Sequence, residues 1–117
     1  MNKERMLELV QGQLEAYNKR DIDTFCSYFH PEVQVWRLAE EGPVKTCNEI
    51  ETFRKMYTAR FENNPELHCE IKNRTILNGS VLDEEWVTGV VGQETPSHLV
   101  AIYSFRDNLI GYVYFSR

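Results

Sequence analysis

No apolar run in this 117-residue chain approaches the ~20 residues a membrane-spanning helix needs, so no membrane partner is expected. Cationic excess is missing too. Thirteen Lys and Arg against eighteen Asp and Glu give a net charge of -5, which argues against nucleic acid or an anionic membrane as a partner. Cysteine is sparse: Cys26, Cys47 and Cys69 are odd in number and widely spaced. They read as free thiols in a reducing cytoplasm rather than as a disulfide framework. The opening "MNKERMLELVQGQLEAYNKR" carries charges inside its apolar part, so it does not read as a secretory signal and a cytoplasmic location is expected. His30, His68 and His98 lack metal-ligand spacing, and no phosphate loop or dinucleotide fingerprint is present. Neither a metal nor a cofactor is expected. Linkers, low-complexity runs and internal repeats are also absent.

What is there suits one domain, residues 1–117, with 42% hydrophobic and 26% charged residues and a core that needs no disulfides. Met6, Leu7, Val10, Leu14 and Tyr17 recur at three- and four-residue steps, which predicts a helix from about Asn2 to Lys19. Asp21 is placed to cap a short second helix whose apolar side is Ile22, Phe25, Cys26 and Phe29, with His30-Pro31 ending it. A strand is predicted from Val33 to Leu38, a turn at Glu41-Gly42-Pro43, and a partner strand over Val44 to Thr46. A third helix follows, capped from Thr46 or Asn48 and carrying the stripe Ile50, Phe53, Tyr57, Phe61. From Leu67 onward the chain reads as strand. Asn78-Gly79 suits a type I′ turn, and Asp107-Asn108 offers a second hairpin. Helices first and antiparallel strands afterwards predict an α+β fold with helices on one side of a curved sheet.

A regular hairpin about Asn78-Gly79 pairs Arg74 with Asp83 and Lys72 with Glu85, with Glu70 and His68 continuing that face. His68, Lys72, Arg74, Asp83 and Glu85 then form a structural charge ladder that helps fix register. The other face pairs Cys69 with Thr88, Ile71 with Trp86, Asn73 with Glu84 and Thr75 with Leu82. It leaves one acid, Glu84, among apolar neighbours, where desolvation raises a carboxyl pKa and suits it to acid–base work. A β-bulge would exchange the two faces.

The segments "EAYNKRDIDTFCSYFHPEVQVW" and "PELHCEIKNRTILNGSVLDEEWVTG" resemble the nuclear transport factor 2-like superfamily, in particular its SnoaL-like and steroid-isomerase-like bacterial members. The resemblance spans nearly the whole chain. It implies a cystatin-like, nuclear transport factor 2-like cone: three N-terminal helices packed on a strongly bent, mainly antiparallel sheet, around an apolar pocket, often in a homodimer. Superfamily members include isomerases, dehydratases, cyclases and proteins used only for binding. In the ketosteroid isomerases of this group an Asp base works with a Tyr and a protonated Asp. Those positions fall at Arg37, near Gln13 and at Tyr103 in this sequence. None keeps its residue, so isomerisation by that residue set is not expected. An Arg cannot act as base near neutrality, while Tyr103 can still donate a hydrogen bond.

Together these readings predict a cone that binds a small hydrophobic molecule, or alternatively an enzyme of proton-transfer type acting on a hydrophobic carbonyl compound. Glu84 is the candidate acid or base, Tyr103 with Tyr17 the candidate donors, and Arg37 a candidate anion stabiliser. Trp86, Ile71, Phe53, Tyr57 and Tyr112 are the candidate pocket lining. Strands rich in apolar residues on both faces, such as "HLVAIYSF" and "LIGYVYF", lead to the expectation of a homodimer through the sheet.

Overall fold

In the computed structural model, which describes residues 1–117, the first helix, α1, runs Lys3–Lys19. The Asn2 side chain accepts the Arg5 N–H at its start, and Arg20, at φ 55°, closes it. Its buried face is Met6, Leu9, Val10, Gln13 and Ala16, rotated from the predicted stripe. Leu7 is exposed, and Leu14 and Tyr17 are only half-buried. Asp21 caps α2, Ile22–Cys26, as predicted. The helix stops at Cys26, before His30-Pro31, because the chain turns at Ser27 and Tyr28 and is extended from Phe29.

Strand β1 spans Phe29–Ala39 and β2 spans Gly42–Cys47, both longer than predicted. Pro31 is tolerated inside β1 because the register with the neighbouring strand shifts between Phe29 and Gln34, where no ladder donor is required of it. His30 is buried and structural: its Nε2 lies 3.0 Å from Asp107 and its Nδ1 accepts the Glu32 N–H. Helix α3, Ile50–Asn63, starts at Glu49 without a side-chain cap. Thr46 cannot cap it because it belongs to β2, where its hydroxyl donates to the Val35 carbonyl.

Four strands complete the chain: β3 His68–Ile76, β4 Ser80–Thr88, β5 Ser97–Arg106 and β6 Leu109–Ser116. They build one six-stranded sheet in the order β2-β1-β6-β5-β4-β3. All neighbours are antiparallel except β1 and β6, which are parallel. The helices pack on the sheet, and Tyr17, Phe25, Phe29, Phe53, Tyr57 and Phe61 interlock between them. Phe25 and Phe53 stack at 5.5 Å, and Phe29 meets Phe53 at 4.4 Å.

Two turn details differ from each other. Asp107 and Asn108 adopt φ of 50° and 66°, the mirror-turn conformation that a two-residue hairpin favours. Asn78 and Gly79 do not have positive φ, so that loop is not the expected type I′ turn, although Leu77 and Ser80 still flank it and are hydrogen-bonded.

The decisive departure lies within the β3–β4 hairpin. Near the turn the predicted pairs hold: Thr75 with Leu82, Arg74 with Asp83 and Asn73 with Glu84. The register then shifts at Lys72, and Ile71 pairs with Glu85, Glu70 with Trp86 and Cys69 with Val87. One extra residue on β3 therefore reverses which faces match. Cys69, Ile71, Arg74 and Ile76 share the face of Val87, Glu85, Asp83 and Val81, and that face meets the helices.

Candidate functional site

A cavity of about 270 Å³ opens between the helices and the inner face of the sheet, just below the ~300–1,000 Å³ of typical small-molecule sites. Fifteen of its 22 lining residues are hydrophobic, so an occupant must be largely apolar. Helix α3 contributes Phe53, Met56, Tyr57 and Arg60 from positions that recur at helical spacing. The inward positions of the sheet contribute Val35, Glu85, Val87, Leu99, Tyr103 and Val113.

Polar groups converge at two places on this lining. In the first, Gln13 Nε2 donates to Tyr103 Oη at 3.1 Å and to the Val10 carbonyl at 3.0 Å, and Tyr103 Oη lies 3.4 Å from Glu85 Oε2. Glu85 is 6% exposed. Burial, seconded by the nearby Asp83 charge, pushes its carboxyl pKa up to about 7, against the weaker pull of the Cys69 thiol, the Tyr103 hydroxyl and Arg74. A carboxyl poised there exchanges protons readily near neutrality. Burial also raises Tyr103 well above the usual phenol value, so its hydroxyl stays a proton donor. Cys69 is likewise pushed up by burial and by Glu85, which leaves it an unionised thiol and a poor nucleophile.

In the second place, Arg60 Nε donates to Tyr17 Oη at 2.9 Å. Burial raises the Tyr17 pKa despite the guanidinium beside it. Behind Glu85, outside the cavity, Asp83 is fully buried and held by Arg74 through two bonds of 2.6 and 2.9 Å, and Arg74 also donates to Gln11.

Several predicted site residues line the cavity: Tyr103, Tyr17, Arg37, Phe53 and Tyr57. Glu84 does not. It lies on the outer face, its carboxylate 2.7 Å from His98 Nε2, with the two side chains 39% and 50% exposed. That exposure removes the desolvation on which its acid–base role rested. Trp86 is outside as well, stacked on His98 at 4.3 Å. Tyr112 pairs with Ser104 on the outer face, and Ile71 points inward but falls short of the cavity.

The predicted charge ladder is corrected in the same way. Arg74–Asp83 is a real pair, but inside the fold. Lys72 sits at the bulge and reaches Glu70 at 3.3 Å instead of Glu85. His68 is exposed, and Glu85 belongs to the cavity. Sequence reasoning thus missed Glu85, Gln13, Arg60 and Cys69 as cavity residues. Arg60 carries a signal in hindsight, since it extends the Phe53, Tyr57 stripe by three residues. No cluster of three or more His, Cys, Asp or Glu side chains suited to a metal ion is present.

The family model described as a SnoaL-like domain matches residues 10–113, almost the full fold just described. The chain belongs to the SnoaL-like family. An uncharacterised cystatin-fold protein of Novosphingobium aromaticivorans is 30% identical to this SnoaL-like chain. The match covers 95% of this chain and 97% of that one, with a TM-score of 0.82. A proposed polyketide cyclase of Sinorhizobium meliloti is similar in fold, with 16% identity, TM-score 0.75 and coverage of 98% and 99%. An LEH-like epoxide hydrolase of Mycobacterium tuberculosis has 11% identity and TM-score 0.80, over 97% of this chain and 82% of its own. A 71-residue stretch, 61% of this SnoaL-like chain, is 37% identical to the DNA repair protein RecN of Helicobacter pylori. It spans 13% of that protein's length, too little to carry over the activity of the whole.

Proposed function

We propose that this protein binds a small, largely hydrophobic molecule in the inner cavity and moves a proton on it, with Glu85 as the acid–base group. The observation that carries this reading is the Glu85 carboxyl in the wall of an apolar cavity, beside Tyr103, which is itself hydrogen-bonded to Gln13. As a carboxylate, Glu85 takes a proton from the carbon next to a carbonyl. The electron pair of the broken C–H bond moves onto the carbonyl oxygen as an enolate, and Tyr103 turns its O–H toward that oxygen. Glu85 then returns the proton to carbon or oxygen, which gives isomerisation, or starts dehydration or ring closure. The scheme needs no redox partner. Neighbours of the same fold include a proposed polyketide cyclase and an epoxide hydrolase, so related cones accommodate chemistry on oxygenated molecules.

The test has two stages. Thermal shift against a panel of small apolar ketones and aldehydes identifies a ligand. Proton NMR in D2O then follows exchange of the hydrogens beside its carbonyl. The wild type should accelerate that exchange, and Glu85→Gln should lose about 10²-fold or more of the acceleration. Exchange by Glu85→Gln at the wild-type rate would remove Glu85 from the chemistry and leave a binding cavity alone.

A further inference from the structure

The charged residues lining the cavity are Arg37, Arg60, Arg117 and Glu85. Three cations to one acid is the reverse of the chain as a whole, which carries 13 basic and 18 acidic side chains. None of the three arginines forms an ion pair with the protein. Arg37 and Arg117 are exposed, but Arg60 is half-buried in the last turn of α3. Its Nε is engaged by Tyr17, and its two terminal nitrogens make no hydrogen bond to the protein. Tyr17 accepts that Nε bond with its oxygen, so its own O–H remains free to donate. Arg60 and Tyr17 thus both line the cavity with donors that no protein acceptor answers.

We infer that the molecule bound here is an organic monocarboxylate, its anionic end held by Arg60 and Tyr17 and its apolar body lying among the aromatic side chains. The inference rests on the reading of the cavity given above and specifies its ligand. Arginine presents paired, coplanar donors that match the two oxygens of a carboxylate. A cavity of about 270 Å³ with a mostly hydrophobic lining does not suit a nucleotide or a sugar phosphate. The two polar places are also spaced for one small molecule. Tyr17 follows Gln13 by four residues on α1, a rise of roughly 6 Å. A carboxylate at Arg60 would thus set a carbonyl or activated C–H a few bonds away beside Tyr103 and Glu85.

Isothermal titration with a matched pair, 4-phenylbutanoate and 4-phenylbutanamide, reads this directly, because the two differ chiefly in charge. The wild type should bind the acid about tenfold tighter or more, the gain of a charge-assisted hydrogen bond. Arg60→Gln should bring the ratio close to one by weakening the acid far more than the amide, whose uncharged carbonyl loses only a weaker hydrogen bond, and Arg60→Lys should restore part of it. If Arg60→Gln does not fold, Tyr17→Phe serves: it keeps the ring in the aromatic cluster and should reduce the ratio several-fold. Equal binding of acid and amide by the wild type would overturn the carboxylate assignment and leave the apolar cavity standing. A preference that survives Arg60→Gln but disappears in Arg37→Gln would overturn the role of Arg60. Binding of neither probe would overturn the cavity reading and this inference with it. Since no turnover is measured, loss or retention of the Glu85-dependent exchange is a separate result.

Discussion

Glu85 is held against its own preference for water. An ordinary strand position would let a carboxylate reach solvent, yet here the side chain is 6% exposed among Ile71, Leu99 and Tyr103. Its pKa in the fold, about 7, stands above the reference 4.5 expected of the unfolded chain. Between those values the native state binds the additional proton, so stability falls as pH rises through that window. Above it both states are ionised and the whole penalty is felt, roughly 3 kcal/mol at 1.36 kcal/mol per unit. Glu85→Gln removes the ionisation while keeping the shape. The variant should melt close to wild type at pH 5 and distinctly higher at pH 8, as followed by circular dichroism across pH. A gap that is the same at both pH values would mean that Glu85 titrates as an exposed carboxyl does. A residue whose replacement stabilises the fold but removes activity is what a functional site should contain.

At the scale of elements, the β3–β4 hairpin shows what the sequence could and could not disclose. Its far end is anchored by Gly89, which has φ +78° and lies so close to the Glu66 backbone that an added Cβ would fall 1.9 Å from the Glu66 carbonyl oxygen. Gly92 has a similar φ of +87° but open space around it. Gly92→Ala should therefore cost only the conformational strain, on the order of 1 kcal/mol. Gly89→Ala should cost several times more, because two stretches of backbone must separate. Urea unfolding of the two variants checks this, and equal losses would mean that the contact with Glu66 yields easily. The three helices and the aromatic stripe of α3 were legible from apolar spacing, and the hairpin positions from their turn residues, although the buried face of α1 is rotated from the predicted one. The inner face of β4 was not. Val81 and Val87 point inward with Asp83 and Glu85, while Leu82 and Trp86 point outward with Glu84. Each face thus mixes apolar and acidic residues, and alternation cannot choose between them. Extending the apolar face of β3 across the strand pair selects the wrong one, because the residue that reverses the match, Lys72, carries no turn or glycine signal. The acid nominated from sequence was therefore Glu84, one residue from the acid that the fold buries.

The whole molecule has one sheet face covered by helices and one left open. On the open face Trp36, Tyr114, Ile102 and Leu82 stand directly opposite one another, an apolar row across four strands whose end member, Trp36, also borders the cavity. Trp36 and Tyr114 are stacked 6.3 Å apart, and Lys45 lies over the Trp36 ring. On one side of the row the next positions are Gln34, Tyr112, Ser104 and Ser80; on the other, the exposed Leu38, then Ser116, Val100 and Glu84. An apolar centre with a more polar surround is the composition of a protein interface, and we propose that a second copy of the chain covers it. Self-association would need to bury ~800 Å² on each copy to be stable, an area that a row four strands wide and its flanks can supply. Light scattering should then return twice the 13.8 kDa of one chain. Ile102→Lys, which sets a charge in the middle of the row without touching the cavity, should return the single-chain mass with an unchanged circular dichroism spectrum. A wild-type mass of one chain would sink the proposal. A dimer that survives Ile102→Lys would move the interface off this face.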